Sequence, residues 1–280
     1  MSSYRYETAE NQTVESASAN FVYRRLGRIG GVPLVVLNRF RGTLDTWDPE
    51  FLDLLSSDRD VIIFDNVGIG YTKGVAPTSM YDYADGAIEF MESLGLTEVD
   101  LLGWSLGGVV AQIVTLKRPE LVRRLVVAGS GPGTVPNLPA TDPRVFEIMA
   151  KPNASIEDIN YLFYPDTAVG NAAAAKSNAR VWPHLSTSPA TVTDESAVAQ
   201  LQASVAFLSS GDVFGRLETI TQPVLYATGA HDVMIDPYGS YAAAQVLPNA
   251  KLLIYSDAGH AFLFQHATDF VAQIGYFLAD

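Results

Sequence analysis

Residues 101–116 contain no charged side chain over 16 positions, yet the run is interrupted by Gly103-Trp104-Ser105-Leu106-Gly107-Gly108. Before the interruption, residues 99–102 (VDLL) read as a buried strand. After it, residues 106–116 repeat apolar side chains at helical spacing. The stretch is too short and too broken to cross a bilayer, which takes about 20 apolar residues. A strand that turns directly into a helix, with glycine on both sides of a serine, commits the chain to a layered α/β architecture.

The rest of the sequence fits that reading. Residues 32–37 (VPLVVL), 61–64 (VIIF) and 125–128 (LVVA) are short, rich in Val, Ile and Leu, and bounded by Gly, Asp or Asn, as suits strands buried on both faces of a parallel sheet. A helical pattern over 82–94 separates two of them. Alternating strand and helix implies crossover units. Near Gly133 the texture changes. Residues 134–220 show no strong strand run and hold seven of the 15 prolines, with helical stretches at 157–163 and 172–181. At Pro223 the strand texture returns: strands at 224–227 and 252–255, helices at 238–246 and 267–278. Two such units cannot build a sheet alone. The expected organisation is therefore one α/β core, residues 1–133 and 221–280, with a helical cap, residues 134–220, inserted into it.

The net charge of −13 argues against a nucleic-acid partner and against docking on anionic membranes, both of which need a basic face. The absence of cysteine excludes a disulfide scaffold, a thiolate metal site and a cysteine nucleophile. Residues 1–20 are polar and slightly acidic and do not read as a signal peptide, so a cytoplasmic location is expected.

Gly103-Trp104-Ser105-Leu106-Gly107 is a G-x-S-x-G pentapeptide on a strand-to-helix turn, which lifts a serine hydroxyl above the sheet edge. A serine hydroxyl needs a base and an orienting acid. Of His184, His231, His260 and His266, His260 follows a strand and precedes the last helix, on the same edge as Ser105; His231 is its competitor. Asp232 leaves the strand at 224–227 and is the expected acid, ahead of Asp236, which precedes Pro237 as a helix cap, and Asp257. The order Ser105, Asp232, His260 is that of one large hydrolase architecture.

These pieces, with FDNVGIGYTKG after the second strand and an insertion after residue 128, resemble the α/β-hydrolase fold superfamily over nearly the whole chain. The resemblance places it in the serine esterase and lactonase-like branch with a cap. It implies a catalytic triad of Ser105, Asp232 and His260, and an oxyanion hole formed by the N–H groups of Leu106 and Phe40. Asn38-Arg39 stands where the family carries His-Gly. Trp104, Val233 and Phe262, close in sequence to the triad, are expected to contact substrate along with Tyr164 and Trp182 of the insertion. Arg39 and Arg41 flank Phe40 and are candidates for a substrate carboxylate.

Haloalkane dehalogenases and epoxide hydrolases of this fold need an aspartate where Ser105 stands. Gly129-Ser130-Gly131-Pro132-Gly133-Thr134 misses the dinucleotide spacing at Thr134, and no metal spacing occurs, so neither cofactor nor metal is expected. The expected function is cofactor-independent hydrolysis of a small to medium, largely apolar ester or lactone. Carbon–carbon bond hydrolysis or lysis, perhydrolysis, and a non-enzymatic receptor on the same fold are the alternatives.

Overall fold

The computed structural model describes residues 5–279; Met1–Tyr4 and Asp280, the outer ends of the expected core segments, lie outside the described residues. In chain order the elements begin α1 (Arg5–Thr8), β1 (Gln12–Glu15), β2 (Asn20–Gly27), β3 (Leu34–Leu37), α2 (Pro49–Leu55), β4 (Asp60–Phe64) and α3 (Met80–Ser93). Then come β5 (Val99–Trp104), α4 (Leu106–Lys117) and β6 (Val122–Ala128). Four helices follow with no strand among them: α5 (Pro143–Met149), α6 (Ile156–Phe163), α7 (Ala168–Leu185) and α8 (Asp194–Leu208), then a 3-10 turn over Phe214–Thr219. The chain closes with β7 (Val224–Gly229), α9 (Pro237–Val246), β8 (Ala250–Tyr255), α10 (Phe262–Gln265) and α11 (Ala267–Ala279).

The eight strands form one sheet in the order β1-β2-β4-β3-β5-β6-β7-β8. From β4 to β8 all neighbours run parallel, and β1 and β2 are antiparallel. Every residue of β3, β4, β5 and β7 is buried, which explains their continuous apolar runs. Helices on both faces cover two apolar layers, one around Trp47, Trp104 and Phe262, the other around Phe90, Val110 and Tyr226.

Several elements go beyond the sequence reading, β1, β2 and α2 among them. Strands β1 and β2 extend the sheet where no strand was expected. The alternation in β2 is disguised because Arg24 takes an interior position; its guanidinium is buried on Asp45 at 2.6 Å. Helix α2 starts at Asp48, whose carboxylate accepts the Glu50 N–H, with Pro49 in the first turn.

Helices α5 to α8 carry their own start signals. The side chains of Asp142, Ser155, Thr167 and Thr193 each accept an N–H of the helix they precede, and Ser155 with Asp158 forms a reciprocal capping box. Helix α7 runs past its expected end, through Pro183, to Leu185. Ser177, Arg180 and His184, spaced three and four apart, share one face of it. Ser177 donates to Asp48 at 2.8 Å, Arg180 binds Asp48 at 2.7 Å, and His184 meets Asp45 at 3.0 Å. Two buried carboxylates behind β3 thus fasten α7 onto the sheet.

Candidate active site

Parallel strands bring their C-terminal ends to one edge, where an open α/β sheet binds ligands. Ser105 directly follows β5, Asp232 lies three residues beyond β7, His260 five beyond β8, and Phe40 three beyond β3.

Ser105 sits at φ 56° and ψ −121°, a strained conformation for a residue with a side chain. Its surroundings enforce it. A Cβ at Gly103 would lie 2.1 Å from the Gly107 carbonyl oxygen, and one at Gly107 would lie 2.2 Å from that of Leu37. Only glycine on both sides lets α4 start this close to β5 and β3. The side chain of Ser105 makes no cap bond to its own helix.

His260 is fully buried, and its Nδ1–H donates to Asp232 Oδ2 at 2.7 Å. Its backbone oxygen accepts the Trp104 indole N–H at 3.1 Å, and the next residue, Ala261, donates to the Phe163 carbonyl at 2.9 Å. The imidazole is therefore oriented from below by the core and from above by the end of α6. Its other nitrogen, Nε2, is buried without a hydrogen-bond partner, and His260 and Ser105 line the same cavity of about 370 Å³. A lone pair held there can take a proton from a hydroxyl on the same wall.

Asp236 and His231 stand elsewhere. Asp236 accepts the Tyr238 N–H as the cap of α9, and the His231 backbone N–H donates to the Ala258 carbonyl. Asp257 pairs with His266 at 2.8 Å near the surface. His184 is on the latch described above.

The Phe40 loop is held by the residue that replaces the usual histidine. Asn38 Nδ2 donates to the Thr43 carbonyl at 2.8 Å, and Asn38 Oδ1 accepts the Arg39 N–H at 2.8 Å. Among the described residues, the N–H groups of Phe40 and Leu106 make no bond to another protein group. Both residues border the Ser105 hydroxyl's surroundings, together with a smaller lobe of about 50 Å³.

None of the five residues expected to contact substrate lines the cavity that Ser105 and His260 share. Trp104 is fully buried beneath His260 and meets Phe264 edge-to-face, with ring centres 4.9 Å apart. Phe262 is fully buried between Tyr255 and Phe270. Tyr164 is packed under α7, where burial pushes its hydroxyl well above the usual tyrosine range. Val233 is exposed: Asp232 Oδ1 accepts both the Met234 and Ile235 N–H groups, a tight turn that sends Met234 to the cavity instead. Trp182 is 60% exposed, because it is two positions from both Arg180 and His184 and so faces away from the sheet. From residues 134–220 the cavity wall includes Ile148, Met149, Leu162, Phe163, Leu185 and Val192. The aliphatic members carried no sequence signal that separates lining from core.

Strained serine, buried histidine–aspartate pair and two unpaired N–H groups at one sheet edge are the layout of the α/β hydrolases. The sequence model of the alpha/beta hydrolase fold matches residues 32–267, and the chain belongs to that family. A solved alpha/beta hydrolase fold protein from Chitinophaga pinensis is 31% identical, covers 98% of both chains and superposes with a TM-score of 0.89. Poly(3-hydroxyalkanoate) depolymerase of Ectopseudomonas oleovorans is 28% identical over 94% of this chain and 89% of its own. 2-Hydroxymuconate semialdehyde hydrolase of Pseudomonas putida is 28% identical over 80% of this chain and 79% of its own.

Proposed function

We propose that this hydrolase cleaves a carboxylic ester or lactone through an acyl-enzyme on Ser105. His260 Nε2 takes the Ser105 proton as Oγ attacks the carbonyl carbon. The N–H groups of Phe40 and Leu106 receive the oxyanion, and Asp232 stabilises the imidazolium. The C–O bond breaks as His260 returns its proton to the leaving alkoxide. Water, deprotonated by His260, then releases the acid and regenerates Ser105. In a lactone the alcohol stays attached to the acyl group. The observation that carries this reading is the buried His260–Asp232 pair, with Nε2 unpaired in the cavity that Ser105 lines.

In the same reading residues 134–220 form a cap over the core, because they supply the aliphatic wall and the Phe163 ring of the cavity. The partner is a small molecule, since the cavity offers about 370 Å³.

A second reading, carbon–carbon hydrolysis of a vinylogous diketone on the same triad, is favoured by the named activity of the Pseudomonas putida relative. Turnover of p-nitrophenyl acyl esters by the purified protein, alongside a vinylogous diketone, decides between them. Release of nitrophenol with no diketone cleavage supports the ester reading, and the reverse supports the second.

A further inference from the structure

The cavity that Ser105 and His260 share is lined by two arginines, Arg39 and Arg41, and by no aspartate or glutamate, in a chain whose net charge is −13. The Arg41 guanidinium is held by another segment: its Nη1 donates to the carbonyls of Lys151 and Pro152 at 2.8 and 3.1 Å, and its Nε has no partner. The Arg39 guanidinium is held by its own neighbour: its Nη1 donates to the Phe40 carbonyl at 2.8 Å, its Nε is likewise buried without a partner, and among the described residues no carboxylate pairs with it. The guanidinium lies instead 5.1 Å from the Phe163 ring centre and 5.5 Å from that of Trp104. Those two rings are each 5.7 Å from the His260 imidazole. The cation therefore shares its aromatic neighbours with His260.

A half-buried cation without an anion is costly, and aromatic faces compensate it only in part. Desolvation lowers the Arg39 pKa to about 10, so the group remains charged at neutral pH. A planar guanidinium with free N–H groups is shaped for a carboxylate. The opposite side of the site is different. The small lobe that also touches Ser105 is walled by Val109, Val145, Phe146, Phe207 and Ile235 and has no charged residue.

The geometry points to Arg39 as the carboxylate-binding residue of this site, so that the substrate is an anion: an ester or lactone with a free carboxylate on one side of the reacting carbonyl and a small apolar group on the other. Arg39 directly precedes Phe40, the second oxyanion donor, which puts the carboxylate within a few bonds of that carbonyl. This assignment rests on the reading of Ser105 as the nucleophile.

The test separates the two. Monomethyl succinate, glutarate and adipate, and the three dimethyl esters, are titrated by calorimetry into Ser105→Ala protein, which needs no turnover. At least one monomethyl ester is expected to bind about 10- to 100-fold more tightly than its dimethyl counterpart, the range of one charge-assisted hydrogen bond. Arg39→Met on the same background should erase that ratio and Arg39→Lys restore part of it. If no monomethyl ester binds more tightly than its neutral counterpart, the assignment is overturned, and this comparison stands even if Arg39→Met does not fold. A ratio that survives in folded Arg39→Met also overturns it. In otherwise wild-type protein, the kcat/KM ratio of anionic to neutral ester should fall with Arg39→Met. An equal fall for both esters assigns Arg39 to the oxyanion instead and contradicts carboxylate binding. Tight monoester binding with no hydrolysis of any ester leaves Arg39 in place and removes the nucleophile reading.

Discussion

Asp232 Oδ2 lies 2.7 Å from His260 Nδ1, and Asp232 Oδ1 accepts the N–H groups of Met234 and Ile235 at 2.9 Å each. Both oxygens are committed, so the carboxylate cannot turn, and the imidazole is fixed as the Nδ1–H tautomer. Asp232→Asn would place an amide where a carboxylate accepts, favouring the wrong tautomer. The expected loss in kcat is about 10⁴. Asp236→Asn should leave kcat near wild type and cost at most a capping effect of about 0.5–2 kcal/mol. Steady-state kinetics of the two folded variants check the ranking; a greater loss at Asp236 would reverse the assignment.

The turn that carries Ser105 depends on missing side chains. Gly107→Ala puts a Cβ 2.2 Å from the Leu37 carbonyl oxygen, a position backbone must vacate. The expected cost is about 1–3 kcal/mol of stability, with kcat falling as α4 shifts. Gly86, inside α3, has nothing within 4 Å of a built Cβ. Gly86→Ala should gain about 0.5–1 kcal/mol from helix propensity. Thermal melts of both variants test the contrast.

Substrate choice should respond to Phe163 and not to Trp182. Phe163 lines the cavity and its ring centre is 5.7 Å from that of His260, whereas Trp182 is on the outer face of α7. Phe163→Ala is expected to shift kcat/KM between short and long acyl esters by about 1–3 kcal/mol. Trp182→Ala should leave the series unchanged. A shift caused by Trp182→Ala would show that the outer face of α7 meets substrate.

Two neighbouring carboxyls give opposite pH dependences. Burial raises the Asp45 pKa, but hydrogen bonds from Ser188 and Tyr71, the Arg24 charge and His184 outweigh it and hold the group at about 2. Its folded pKa is depressed, so its stabilisation is present above the usual 3.8 and is lost as pH falls toward 2. Burial pushes Asp65 up to about 7, against N–H groups from Tyr71 and Leu44. The folded state then binds that proton more tightly, and stability falls as pH rises from about 4 to 7. In melting temperatures, Asp45→Asn should flatten the limb below pH 4, and Asp65→Asn the limb from 4 to 7. An unchanged limb in either variant refutes that residue's part.

The sheet's centre was legible because β3, β4, β5 and β7 are buried on both faces and their side chains have one environment. The pentapeptide, the histidine after β8 and the aspartate after β7 were legible for a related reason, since parallel strands put their exits on one edge. Strand β2 was not, because Arg24 at an interior position is paid for by Asp45, 21 residues away. The cavity wall was not either. Whether a side chain in α7 faces the sheet depends on Asp45 and Asp48, which hold His184, Arg180 and Ser177 inward and so turn Trp182 out. No local pattern around Trp182 encodes those partners.

The central claim is that the Ser105 hydroxyl, activated by His260, is the nucleophile. Intact-protein mass spectrometry after treatment with a fluorophosphonate ester measures it directly, since such reagents phosphonylate a serine activated by a histidine and release fluoride. The account predicts one phosphonyl group per chain, located on Ser105 by peptide mapping, with ester turnover lost in parallel and no label on folded Ser105→Ala. Label on another residue, or full turnover by folded Ser105→Ala, would contradict it.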